Sequence, residues 1–353
     1  MHSSWRYDKI IVLVQTKPTN SAKMGLPFLV YNVLMLEKFE KESLTAEEQL
    51  NLLIKRKLIV DDFNSAVKIL KRVGYYHLSS YMRLFQKGKE HIFNDGVEFF
   101  DLINLFNFDC ELRHITFKAI EKIEVAYRVA ISNIMCKKYG SHWFSKKDTF
   151  KTKIDTETNQ EIDYVEICKL IILKEIKKKD DEYAETFIAN YYKKYKEPEL
   201  PPFWMVIETF TIGSLNKLYQ NINHQDKREI AKYLGFTSDA KFVGFSNWLY
   251  ALSVIRNICA HHSRLFNRIF RISPSRHEKI KEFKGVDNNR FYYIAMIINY
   301  YLISILQDSS FDYDLQTLFN KYKGVDKTKM GFPNVWNGFS ITAIDKDCRQ
   351  IKL

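Results

Sequence analysis

The segment Arg256-Asn257-Ile258-Cys259-Ala260-His261 places a guanidinium, an amide and an imidazole close together in the chain. Those three groups suit the chemistry of an RNA phosphodiester. The 2′-hydroxyl beside the scissile phosphate is a built-in nucleophile, so the protein need only move protons and stabilise charge on a five-coordinate phosphorane. An imidazole near its ordinary pKa of about 6.5 does the first. Arginine offers a planar, permanently charged fork to the phosphate oxygens. Asn257 is suited to orienting the imidazole or the phosphate. The expected products are a 2′,3′-cyclic phosphate and a 5′-hydroxyl, and DNA is not expected to be cut. Taken alone, Arg and His at this spacing recur by chance in many helices.

The element that must carry these groups is a helix beginning near Lys241. Trp248, Leu252, Ile255 and Cys259 recur at spacings of four, three and four, which predicts one apolar stripe facing the core. Asn257, His261, Arg264 and Arg268 repeat that spacing on the opposite side, with Arg256 on the flank, provided the helix persists to Arg268. No acidic residue lies between Asp239 and Glu278, whereas Lys241, Arg256, Arg264, Arg268, Arg271 and Arg276 all do. A solvated helix face normally mixes signs. A one-signed stretch that also holds His261 and His262 predicts an anionic ligand, with Arg264, Arg268, Arg271 and His262 as RNA-binding residues.

Composition agrees with an anionic partner and excludes several classes. The formal net charge is +12, from 54 Lys and Arg against 42 Asp and Glu. A field of that sign attracts nucleic acid or an anionic membrane surface. Hydrophobic residues at 46% permit a packed core, and only 12 Gly and 7 Pro in 353 residues favour long helices over a many-stranded sandwich. The five cysteines (110, 136, 168, 259 and 348) form no Cys-x-x-Cys pair, which predicts neither a disulfide framework nor a zinc knuckle, and fits a reducing cytoplasm. No metal or other cofactor is expected. Phe291 to Leu306 is the most apolar stretch, yet Asn299 and Ser304 interrupt it, which predicts a buried core helix and no membrane span. Residues before Met24 or Met35 are consistent with an upstream start codon, and the only alternating strand-like pattern falls at the extreme N-terminus.

Ordered patterning begins near Leu44. Thr45 and Glu48 form a capping box opening a helix with Leu50, Leu53, Ile54 and Leu58 on one side. A second helix is expected from about Asp61 to Val73, stopped by Gly74, and is followed by the aromatic segment Gly74-Tyr75-Tyr76-His77-Leu78-Ser79-Ser80-Tyr81. A long helix should run from about Glu98 to Tyr139 and end at Gly140. Its polar stripe Glu121, Glu124 and Arg128 is either a solvated face or a buried charge cluster supporting a site. Residues 145–165 read as a loop and Lys174 to Asp181 as a solvated charge run. Further helices are expected over Phe203–Asn221 and near 225–234, 240–262, 288–307 and 312–322.

Several of these blocks together resemble the Abi-like family, the abortive-infection proteins of the AbiD/AbiF type, and Arg256-Asn257-x-x-x-His261 resembles the Arg-x4–6-His signature of HEPN ribonucleases. The aromatic block is similar to the family's Gly-Tyr-Tyr-Arg-Leu-Ser-Gly-Tyr, departing at His77 and Ser80. Thr45-x-x-Glu48-Gln49, Leu112-Arg113 with Glu121, Glu124 and Arg128, Pro201 to Glu208 with Gly213, and Met330-Gly331-Phe332-Pro333 look like its other motifs, so the likeness spans roughly Leu44 to Trp336. It implies an all-α HEPN-type helical bundle: a 1–35 extension of uncertain status, an N-terminal helical region over 36–97, a HEPN-type domain over 98–340 and a tail over 341–353. It implies phage defence through RNA cleavage, with Arg256, His261 and Asn257 catalytic, Glu121, Glu124 and Arg128 supporting, and in some members a small non-coding RNA partner, as in toxin–antitoxin systems. HEPN enzymes use two copies of the motif. Arg113-His114 and Arg128 do not supply a second, so a homodimer is expected to assemble one cleft. The competing expectations are a non-catalytic protein that holds or senses RNA, and a helical partner module that binds no nucleic acid.

Overall fold

A computed structural model describes residues 42–177, 182–183, 185–236, 239–276 and 281–339. Among them are twelve α-helices and one two-stranded hairpin, so the fold is all-α as expected. The helices are α1 (Ala46–Lys55), α2 (Phe63–Val73), α3 (Tyr75–Met82), α4 (Phe99–Tyr139), α5 (Tyr164–Ile176), α6 (Thr186–Lys194), α7 (Phe203–Val206), α8 (Ile212–Asn221), α9 (His224–Tyr233), α10 (Asp239–Ala260), α11 (Phe291–Leu306) and α12 (Ser310–Lys321). The hairpin pairs β1 (Gln86–Lys87) with β2 (Ile92–Phe93), antiparallel.

The 41-residue helix α4 is the spine, on the order of 60 Å long at 1.5 Å per residue. Helices α3 and α7 to α12 all pack on it. Its buried residues recur every three or four positions from Leu102 through Leu105, Phe108, Leu112, Thr116, Ala119, Ile123, Tyr127 and Ala130. Gly140 caps it at a φ of 89°, where a residue with a Cβ would be strained.

Among the described residues two hydrophobic clusters fill the interior. A small one joins α1, α2 and α3 to the first turn of α4, from Leu50 and Leu53 to Phe99 and Leu102. The large one holds the rest, with Trp143, Trp248, Tyr127 and Tyr219 among its fully buried side chains. Helix α3 belongs to both, since Leu78 and Met82 face the small cluster and Tyr81 the large one.

The caps follow the sequence closely. Thr45 and Glu48 complete the reciprocal capping box at 3.3 and 2.7 Å. Asp62 caps α2, and Gly74 (φ 87°) lets the chain turn from α2 straight into α3. The aromatic segment is therefore itself a helix.

Three expectations are corrected. The single helix over Phe203–Asn221 is split: α7 passes into a 3₁₀ turn at Ile207–Thr209, Phe210 is extended, and Thr211 caps α8 through Ser214. The β-branched Thr209 and Thr211 disfavour a continuous helix there, and Thr211 is a strong N-cap type. The short hairpin at 86–93 was not anticipated, being too brief to register as alternation. Helix α10 stops at Ala260, before Arg264 and Arg268. The strand-like N-terminal pattern, the end of the 174–181 charge run and the 341–353 tail lie outside the described residues. Helix α11 is buried along most of its length, including Asn299, and among the described residues no helix is long and apolar enough to cross a membrane.

Candidate active site

The apolar stripe of α10 is as expected: Trp248, Leu252, Ile255 and Cys259 are all buried. Opposite it, Tyr250, Asn257 and His261 lie on one exposed line at helical spacing. That face runs back toward Tyr250, not forward to Arg264 and Arg268. The helical ladder continues to His261, whose N–H donates to Asn257 at 3.0 Å. His262 then takes a left-handed φ of 55°, and the N–H of Ser263 closes back onto the Ile258 carbonyl at 3.0 Å. His261 and His262 thus sit at the C-terminal end of the helix.

The chain after the helix is pinned from α4. The buried carboxylate of Asp109 accepts the N–H of Leu265 (3.1 Å) and of Phe266 (2.5 Å), and the Tyr81 hydroxyl of α3 (2.6 Å). It also pairs with the buried guanidinium of Arg113, four residues along α4. Arg113 donates to Tyr81 as well, at 2.9 Å. One buried ion pair therefore ties α3, α4 and the loop after α10 into a single unit. Further on, Asn267 also takes a left-handed φ, and the return segment is anchored where Trp248 and Tyr293 both donate to the Ser275 carbonyl at 2.9 Å.

This pinning folds Arg264 and Arg268 back toward the helix end by a route unlike the predicted face. His261, His262, Ser263, Arg264 and Arg268 line an open cleft of ≈ 370 Å³ whose opposite wall is Tyr76, His77 and Ser80 of α3. Among the described residues no carboxylate lines it. Arg268 donates to the Arg264 carbonyl at 3.2 Å. Burial lowers the pKa of the Arg264 guanidinium, and its Nη1 has no protein partner among the described residues. The pKa of His77 is lowered by burial, with the charges of Arg113 and His262 adding to the effect. The cleft is thus a cationic, acid-free recess with an exposed aromatic ring at its edge, suited to a phosphate and a base.

The other predicted residues lie apart from it. The Arg256 guanidinium stacks over the Phe117 ring of α4 at 5.5 Å, and its Nε is buried without a protein partner among the described residues. Asn257 is exposed on the Tyr250 face, and Arg271 is exposed on the return segment. Glu124 is buried and pairs with Arg128 at 2.6 Å, and Arg128 also donates to the Phe210 carbonyl. Burial raises the Glu124 pKa, opposed by Arg128 and Arg256. The stripe is therefore a buried charge cluster at Glu124 and Arg128, while Glu121 stays exposed. Glu208, from the Pro201 block, approaches Arg128 at 3.8 Å. Cys259, inside the motif, is no nucleophile, because burial pushes its thiol up to about 12. Among the described residues no cluster of His, Cys, Asp and Glu suits a metal ion.

Sequence reasoning missed Asp109 and the division of labour in the aromatic block. The available signal was Asp109 four residues before Arg113, on a stretch otherwise apolar on that side. In the block, Tyr81 is core, Tyr75 accepts from Arg56 at 3.1 Å, and Tyr76 is 85% exposed.

The model of the Abi-like protein family matches residues 68–267, more than half of the chain. The chain belongs to the Abi-like protein family. The matched span of this Abi-like protein holds both walls of the cleft except Arg268, together with Asp109, Arg113, Glu124, Arg128 and Arg256. No curated protein and no solved structure matches it.

Proposed function

We propose that this Abi-like protein is a metal-independent endoribonuclease of the HEPN type that acts in abortive-infection defence against phage. The observation that carries the reading is the acid-free cleft gathering His261, His262, Arg264 and Arg268 at the end of α10. His261 takes the proton of the 2′-hydroxyl, whose oxygen attacks the adjacent phosphorus. Arg264 and Arg268 hold the phosphate oxygens as negative charge develops. The bond to the 5′-oxygen breaks, that oxygen takes up a proton, and a 2′,3′-cyclic phosphate is left.

Arg256 and Asn257 reach this chemistry in a homodimer, which supplies the motif twice. The exposed line of Tyr250, Asn257 and His261 on α10 is the face we assign to that contact.

A second reading is favoured by the position of Arg256 over Phe117, away from the cleft within one chain. In it the basic cleft holds a small RNA without cutting it. Incubation with single-stranded RNA in EDTA separates the two. Cleavage by the wild type, lost in His261→Ala with RNA binding retained, supports the nuclease. Stable copurification with a discrete RNA and no cleavage by the wild type supports the holder. Full cleavage by His261→Ala overturns the catalytic assignment.

A further inference from the structure

Tyr76 is the most exposed large hydrophobic side chain of the described residues, at 85%, and it stands at the rim of the cationic cleft. Its two aromatic neighbours in the block are otherwise engaged. Tyr81 is buried, with its hydroxyl on Asp109, and Tyr75 packs edge-on to Tyr76 at 6.0 Å with its hydroxyl held by Arg56. The Tyr75 ring therefore buttresses Tyr76 from one side and leaves the rest of it to solvent. The backbone beneath is a helix, capped by the left-handed Gly74 and tied to α4 through Tyr81, so the ring is presented from a rigid element. A ring of this size left in water, mounted on a helix and beside two guanidiniums and two imidazoles, has no role in the core of the described residues. Bases offer a flat apolar face whatever their identity, and a phosphate lies next to each one.

We propose that Tyr76 is the base-stacking platform of the cleft, taking an unpaired nucleobase adjoining the phosphate held by Arg264 and Arg268. This rests on the cleft being an RNA site, and it narrows the substrate class. A base paired inside an A-form duplex is stacked on both faces and cannot lie on Tyr76, so single-stranded loops and ends are selected over double-stranded RNA. Because stacking reads a π-face and not hydrogen-bonding edges, the preference is for unpaired character more than for one base. Tyr76 is a positioning residue: it fixes the nucleotide while the histidines and arginines act on the phosphate.

The test uses the full chain and a short 2′-O-methyl oligonucleotide carrying 2-aminopurine, which lacks the free 2′-hydroxyl and cannot be cut. Binding to the wild type should quench 2-aminopurine fluorescence at one position along the strand. Tyr76→Ala should lose that quench and bind roughly ten-fold more weakly, as expected for one base–aromatic stack, while Tyr76→Phe retains both. Affinity for a fully paired duplex of the same sequence should not change in either variant. Since the ring is exposed, both variants should melt with the wild type, and matching thermal unfolding verifies that. If Tyr76→Ala binds and quenches like the wild type, the stacking proposal is overturned while the nuclease reading stands. If the wild type binds no RNA, the reading of the cleft as an RNA site falls and this proposal with it.

Discussion

Asp109 accepts the backbone N–H of Leu265 at 3.1 Å, though 156 residues separate them in the chain. That bond, with its counterpart from Phe266, is what converts a helix end into a cleft wall. The carboxylate is buried and its charge is balanced by Arg113. Asp109→Asn keeps the shape and removes the charge, leaving Arg113 buried without its anion. Loss of one member of a buried pair costs on the order of 3–5 kcal/mol. Urea unfolding should show that loss, and RNA binding at the cleft should fall although Asp109 touches no RNA. A change below about 1 kcal/mol would remove Asp109 from this role.

Arg264 and Arg268 are assigned to phosphates. Double substitution to alanine should weaken RNA binding across sequences and flatten its salt dependence. Two lost phosphate contacts on a single strand lower the slope of log K against log salt by about 1.4. Filter binding at several salt concentrations measures this, and an unchanged slope removes both arginines from the interface.

Cys259 lies between Arg256 and His261 in sequence but is buried, with its thiol pushed up to about 12. Thiolate is the reactive form, so iodoacetamide at neutral pH should spare Cys259 in the native protein and modify it only after unfolding. Cys259→Ala should leave the cleavage chemistry intact. Rapid native alkylation at this position, read by peptide mass spectrometry, would contradict the packing of α10.

The exposed line of Tyr250, Asn257 and His261 is the assigned dimer face. Sedimentation should give twice the chain mass for the wild type. Tyr250→Glu should give a monomer that remains folded and no longer cuts RNA. A wild-type monomer that cuts RNA would place the whole site within one chain.

Lys122 of α4 donates to Asp308 at 2.5 Å, joining the spine to the turn before α12. That hydrogen bond holds the Asp308 carboxyl down to about 2 from an ordinary 3.8. The depressed pKa means the pair stabilises the fold above pH 3.8 and is lost as pH falls toward 2. The side chains are 34% and 22% exposed, so screening holds the contribution to about 1 kcal/mol. Asp308→Asn should cost that amount at neutral pH and nothing below about pH 2. An unaltered acid limb in the unfolding curve would show the pair contributes nothing.

The sequence by itself determined α1, α2 and α4 with their caps, and the buried stripe of α10, because these depend on neighbours three or four residues apart. Thr45 with Glu48, Gly74 and Gly140 act within one turn of the backbone, and Trp248 to Cys259 is a periodicity. It also singled out His261, His262, Arg264 and Arg268, but joined them by extending a helix that ends at Ala260. Only the tertiary structure decided how they meet. A left-handed His262 breaks the helix, Asp109 captures the chain beyond it, and α3 supplies the far wall with Tyr76. Those contacts span stretches of chain far longer than any helical period, and a carboxylate's partner at that range follows from packing around α4, which no local spacing records.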